Sequence, residues 1–249
     1  MLSDKIQQTP ATKKLLLSII FYISYLIVDY FSSMLEGIIG NLIPFIFTII
    51  VAFLIFKYVK TLKILKQNIL SKNIISSIVF IIFLTIFFML VVHPIDNIKG
   101  VFNTSTINII KCLIIAITAG IFEEFLVRVL IFDGFAQLCN SKKYNLLLAS
   151  IYSSLLFGIF HLSNLSFQSV EATLQQVFYA IAIGLMFCFI RLKTNGILIC
   201  IILHSLVDFQ PTIGGSSSAS SWSSLFIIFI PLMLISILCI YITNKNIKN

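Results

Sequence analysis

Apolar residues run along this chain in long blocks rather than in alternation. The blocks are Leu15–Phe31, Leu42–Val59, Ile74–Val92, Ile107–Leu138, Tyr144–Leu162, Ala172–Ile190, Gly196–Phe209 and Leu225–Thr243. Most approach the ~20 residues with which a helix crosses ~30 Å of hydrocarbon. Continuous apolar runs of this length predict membrane helices, whose backbone groups bond within the segment. The pattern therefore predicts an all-α fold, a polytopic transmembrane helical bundle of about eight transmembrane helices. Three parts follow along the chain: 1–105 with the first three spans, 106–210 with the next four, and 211–249 with a Ser-rich loop and a last span.

Composition agrees. Of 249 residues, 59% are hydrophobic and 10% charged, with mean hydropathy +1.08, against ~25% charged residues in soluble domains. A soluble enzyme, a disordered chain and a disulfide scaffold are excluded. The net charge of +8 could suggest nucleic acid, but its placement does not. Lys5, Lys13, Lys14, Lys60, Lys63, Lys66, Lys72, Lys142, Lys143, Arg191, Lys193, Lys245 and Lys248 fall on one side of the predicted crossings. That is the positive-inside pattern with both termini cytoplasmic. The basic residues are expected to be topology signals and contacts for anionic lipid, and no nucleic-acid partner is expected. Fifteen Lys against two Arg, with much Ile and Asn, points to an AT-rich bacterial genome and a bacterial cell membrane.

Cys112, Cys139, Cys188, Cys200 and Cys239 are scattered, without a CxxC pair, and read as small core residues. No small-residue cleavage site follows the first span, so it is read as a retained helix. Gly214 to Ser218 reads as a flexible connector.

Charge inside the spans changes the picture. An ionisable group at a helix centre costs ~2.5–3.5 kcal/mol on insertion scales. The first three spans are nearly free of such groups. Glu123, Glu124, Arg128, His161, His204 and Asp208 all lie inside later spans, on three separate helices. Together, unpaired, they would cost on the order of 10 kcal/mol, so they are expected to meet in a shared cavity. Glu124 and Arg128 form an i,i+4 pair in the favourable order, with Glu123 turned about 100° away. Phe157 and His161 share a face, as do His204 and Asp208. Counted from the adjoining turns at ~1.5 Å per residue, Glu123 and His161 lie roughly 22 and 25 Å deep, and His204 and Asp208 roughly 14 and 20 Å. Asp133 and Asp96 read as ordinary end-of-helix or loop acids. Ser150, Ser153 and Ser154 favour close helix packing.

The three elements in order, Glu123-Glu124-x-x-x-Arg128, Phe157-x-x-x-His161 and His204-x-x-x-Asp208, resemble the signature of the CPBP intramembrane proteases, the family of the CAAX-processing type II prenyl protease and the bacterial Abi proteins. The resemblance covers about 100 residues, from Asn108 to Phe209, and marks 106–210 as the catalytic core. It implies a membrane endopeptidase in which Glu123 and His161 activate a water, with His204 and Asp208 at the oxyanion side. Glu124, Arg128 and Phe157 would be supporting residues. The third motif of the family usually ends in Asn, where this chain has Asp208. An amide can donate to an oxyanion, whereas an ionised carboxylate only accepts.

Glu123, His161, His204 and Asp208 are also plausible zinc ligands, and the family is often labelled metalloprotease, but no HExxH is present. A metal-free, glutamate-activated water fits equally well. The implied substrate is a hydrophobic or lipid-modified peptide at the bilayer, in bacteriocin or pheromone processing or in self-immunity. The alternative is a non-catalytic immunity or regulatory protein on the same fold. A transporter is disfavoured, because no inverted repeat is visible.

Overall fold

The computed structural model describes residues 2–66, 74–211 and 219–248. The expected Gly214–Ser218 connector and Lys72 lie outside them. The described residues form α1 (Asp4–Gln7), α2 (Ala11–Ser32), α3 (Ile39–Val59), α4 (Ile74–Phe87), α5 (Pro94–Phe102), α6 (Thr106–Glu123), α7 (Phe132–Leu138), α8 (Asn145–Phe160), α9 (Val170–Thr194), α10 (Leu198–Asp208) and α11 (Trp222–Lys248). Apart from one isolated bridge between Leu2 and Leu65, the regular structure is helical, as the unbroken apolar blocks require. The bundle is polytopic.

Among the described residues, α2, α3, α9, α11 and the run Asn145–Ser166 are long and apolar enough to cross a membrane. The pair Ser77–Val92 and Pro94–Phe102, bent by 41°, makes a sixth if taken as one span. That is fewer than the about eight expected, for two physical reasons. The third motif sits on α10, which has 11 residues and rises only ~16 Å, about half the hydrocarbon thickness. The Ile107–Leu138 block is helical almost throughout, but it carries five charged residues and changes register midway. Between α6 and α7 the chain runs as a π-helix, Glu124–Ile131.

Helix ends follow local chemistry. Ser105 caps α6 by accepting from the Asn108 amide, and Ser169 caps α9 by accepting from the Ala172 amide. His93 takes a left-handed conformation and Pro94 starts α5, where its missing N–H costs nothing.

α9 is the centre of the bundle. It is buried on all sides from Ala182 to Lys193, as expected of a helix that is apolar all round. α8 packs on it through small residues. A Cβ on Gly184 would lie 3.0 Å from Ser154 Cβ, and one on Gly158 would lie 2.9 Å from the Val177 carbonyl oxygen. Ser153 Oγ lies 3.5 Å from Cys188 Sγ, so the serines do favour close packing. All five cysteines are free thiols, four of them buried. The outer helices α2, α3 and α11 turn Ile, Leu and Phe outward, as a lipid-facing surface does.

Candidate active site

Glu123 ends α6 and Glu124 opens the π segment. A π turn, with its i→i+5 bonds, is rare and recurs at functional sites. Glu124 and Arg128 pair as the spacing predicts, with Arg128 Nε 3.2 Å from Glu124 Oε2 and both side chains fully buried. Arg128 Nη1 and Nη2 find no hydrogen-bond acceptor among the described residues. The guanidinium is held by ring faces instead, 4.9 Å from the Phe157 centroid and 5.6 Å from Phe187.

α8 delivers Phe157 and, at its end, His161. The Phe157 carbonyl can only accept, so His161 Nδ1 donates to it at 2.9 Å and Nε2 is left as the free acceptor. The Phe157 ring meets Arg128 on one side and both histidines edge-on, with centroids 4.9 Å from His161 and 6.0 Å from His204.

α10 brings His204 and Asp208 against α6, and Gly120 is what permits the approach. A Cβ there would collide with Ser205 Oγ and lie 2.9 Å from the Ile201 carbonyl oxygen. His204 becomes the hub. Its Nδ1 lies 2.8 Å from Glu124 Oε1. Its Nε2 lies 3.5 Å from Glu123 Oε2 and 3.6 Å from Asp208 Oδ2. Beyond its pairing with Arg128, Glu124 also serves His204, with one oxygen for each. An ionised carboxylate only accepts, so the His204 proton sits on Nδ1 toward Glu124, and Nε2 faces the other two acids.

Exposure separates the acids. The side chains of Glu123 and Asp208 are 30% and 28% exposed, those of His204 and Glu124 7% and 0%. Glu123 and Asp208 are thus the partly exposed acids of the cluster, although Glu123 Oε2 itself is buried. Glu123, Glu124 and Asp208 each meet His204, and Arg128 joins the cluster through Glu124 and the Phe157 ring. His161 joins them through the Phe157 ring and lies within Coulomb range of His204 and Asp208. Among the described residues no hydrogen bond joins it directly to Glu123.

The donors do not assemble as a metal site. Among the described residues no group of three or more His, Cys, Asp or Glu is arranged to hold a metal ion.

Two features escaped the sequence reading. Asp133 lies in the first turn of α7, at a helix end as expected, but it is no ordinary surface acid. It is fully buried, with Oδ1 2.9 Å from Arg191 Nη2, and Lys14, also fully buried, lies within Coulomb range of both. Lys14 and Arg191 are thus turned inward rather than toward lipid headgroups, because a buried carboxylate needs a cation beside it. The second feature is aromatic. Tyr22 and Tyr25 of α2 stack on Phe160 and Phe122, the residues preceding His161 and Glu123. Their only sequence signal is a Tyr22, Tyr25, Asp29 stripe at helical spacing.

No curated protein and no solved structure matches the chain significantly. A family comparison does find a match, over 104–210. This stretch is somewhat less than half the chain and holds all three motifs and every contact of the His204 hub. Residues 104–210 match the family described as Type II CAAX prenyl endopeptidase Rce1-like, the family that the three motifs resemble, and at the level of that family the likeness is to a CAAX protease-like membrane endopeptidase.

Proposed function

We propose that the chain is an intramembrane endopeptidase that hydrolyses a membrane-associated, hydrophobic or lipid-modified peptide with a water activated by Glu123 and His161. The observation that carries the reading is the placement of one imidazole, His204, between Glu123, Glu124 and Asp208, with Glu123 and Asp208 the partly exposed members.

In this reading the Glu123 carboxylate takes a proton from the water as the water oxygen attacks the peptide carbonyl carbon. His161, with Nδ1 bonded to the Phe157 carbonyl, accepts the second water hydrogen bond at Nε2. The carbonyl oxygen becomes an oxyanion and takes a hydrogen bond from the imidazolium form of His204 at Nε2. Glu124 fixes the orientation of that ring from the other nitrogen. As the C–N bond breaks, protonated Glu123 returns its proton to the departing amine. Asp208 lies beside Nε2 where the family usually has an amide, and its carboxyl would donate only when protonated. No step is routed through zinc.

Supporting the substrate class are the apolar outward faces of the surrounding helices and the name of the matched family. A bacterial setting, with both termini cytoplasmic and a part in bacteriocin or pheromone processing or self-immunity, completes the proposal. The test is cleavage of an internally quenched, prenylated peptide by the purified full chain in lipid vesicles, with its unlipidated counterpart beside it. Glu123→Gln and His161→Ala should each abolish turnover, while chelators leave it unchanged. Biological activity that survives both substitutions at normal expression would favour the non-catalytic immunity protein instead. Loss of turnover on chelation, restored by zinc, would overturn the metal-free chemistry.

A further inference from the structure

α2 lies outside the matched segment 104–210, yet it grips that segment beside both residues proposed to hold the water. The Tyr22 ring stacks on Phe160, centroids 4.1 Å apart and planes 15° from parallel. Its hydroxyl donates to the Phe160 carbonyl oxygen, which also accepts from Ser163 Oγ. One turn further along α2, the Tyr25 ring stacks on Phe122 at 4.1 Å and 22°.

These two places share a property. Glu123 stands where α6 gives way to the π segment, and His161 where α8 gives way to a 3-10 turn, His161–Ser166. The regular hydrogen-bond ladder changes at each, so helix geometry alone does not fix either side chain. At the end of α8 the chain passes into a 3-10 turn, and the Tyr22 hydroxyl adds to the Phe160 carbonyl a donor from another helix. α2 also packs close against α7, where a Cβ on Gly134 would lie 3.0 Å from Leu15 and 3.4 Å from the Ala11 carbonyl oxygen.

We infer that Tyr22 and Tyr25 are positioning residues, a clamp from α2 that sets the spacing between Glu123 and His161 and makes this helix part of the catalytic unit. The inference rests on the peptidase reading for its kinetic consequence but not for its structural one, so the test has two arms on the full chain.

In the kinetic arm, turnover of the internally quenched prenylated peptide is followed for Tyr22→Leu, Tyr25→Leu and the ring-preserving Tyr22→Phe and Tyr25→Phe. Misplacement of reacting groups by about 1 Å costs up to about 100-fold. Each leucine variant should therefore lose about 10- to 100-fold in kcat with KM within about twofold. Tyr25→Phe keeps its stack and should restore near-parental kcat, and Tyr22→Phe, which loses only the hydroxyl, should fall between. In the spectroscopic arm, the full chain is labelled with 15N-histidine. The chain has three histidines, so the ring signals can be assigned by substitution. The His161 signals should shift in both leucine variants while those of His93 stay in place.

Unchanged His161 signals in both leucine variants would overturn the clamp whether or not the peptide is cleaved. Unchanged kcat in both would do the same. Cleavage that survives Glu123→Gln would instead overturn the peptidase reading and leave the His161 signals to decide the clamp.

Discussion

His204 Nδ1 stands 2.8 Å from Glu124 Oε1, while Glu124 Oε2 lies 3.2 Å from Arg128 Nε. One buried carboxylate thus ties a histidine from α10 to a guanidinium on the π segment. Removing its charge should leave Arg128 buried without a counter-ion, a change that costs ~3–5 kcal/mol. Glu124→Gln is expected to lower the thermal midpoint of the detergent-solubilised protein by far more than Glu123→Gln, whose residue is partly exposed. Equal midpoints would show that Glu124 does not carry the pair.

The rate should fall in acid. The proposed base must be ionised to accept the proton from water, so activity is present above the Glu123 pKa and lost as pH drops through it. Measured as kcat/KM against pH on folded protein, the acidic limb should persist in Asp208→Asn. A rate that stays flat between about pH 4 and 8 would oppose a carboxylate base.

Asp208→Asn puts an amide donor where the chain has a carboxylate. Its carbonyl oxygen can still face His204 Nε2, and its NH2 can donate to an oxyanion. Turnover of the quenched peptide is expected to be retained or raised. A fall of about 100-fold or more, of the size seen on losing an oxyanion donor, would assign Asp208 a role that requires its charge.

Gly120 sets the approach of α10. Gly120→Ala places a methyl against Ser205 Oγ and the Ile201 carbonyl, and the helices must part. A misplacement of about 1 Å costs up to about 100-fold in rate, so activity should drop without loss of the folded bundle. Adding Ser205→Gly should recover part of it, because the nearest obstacle is gone while the two backbone atoms remain.

The Asp133–Arg191 pair, with Lys14 beside it, is a second buried charge set that shares no residue with the first. Asp133→Asn or Arg191→Leu alone should destabilise by ~3–5 kcal/mol, whereas replacing all three groups with apolar residues of similar size should cost much less. Thermal unfolding of the single and triple variants in detergent decides this.

The candidate site was largely legible from sequence because the bilayer makes charge conspicuous. Glu123, Glu124, Arg128, His161, His204 and Asp208 stood out against apolar surroundings, and depth counting placed them at one level. Lys14 and Arg191 were not legible for the converse reason. A cation near a span end fits a topology signal whether it faces lipid or turns inward to an acid, and only packing distinguishes the two. Tyr22 and Tyr25 were hidden because an aromatic residue in a span is an ordinary lipid-facing choice. Five or six described helices have the length and composition of a crossing against about eight expected, because an apolar block does not reveal whether its helix changes register, as at Glu124, or is short, as at α10.

The π segment Glu124–Ile131 has one more implication. It resets the angular phase of a single continuous rod, so acids ten residues apart can each address a different neighbour: Glu123 and Glu124 look to α10, and Asp133 looks to α9. Deleting one codon within that wide turn would let the backbone relax into an ordinary helix, at little cost to local hydrogen bonding. Everything downstream would then rotate out of step, and two ionic assemblies that share no residue would come apart in one stroke.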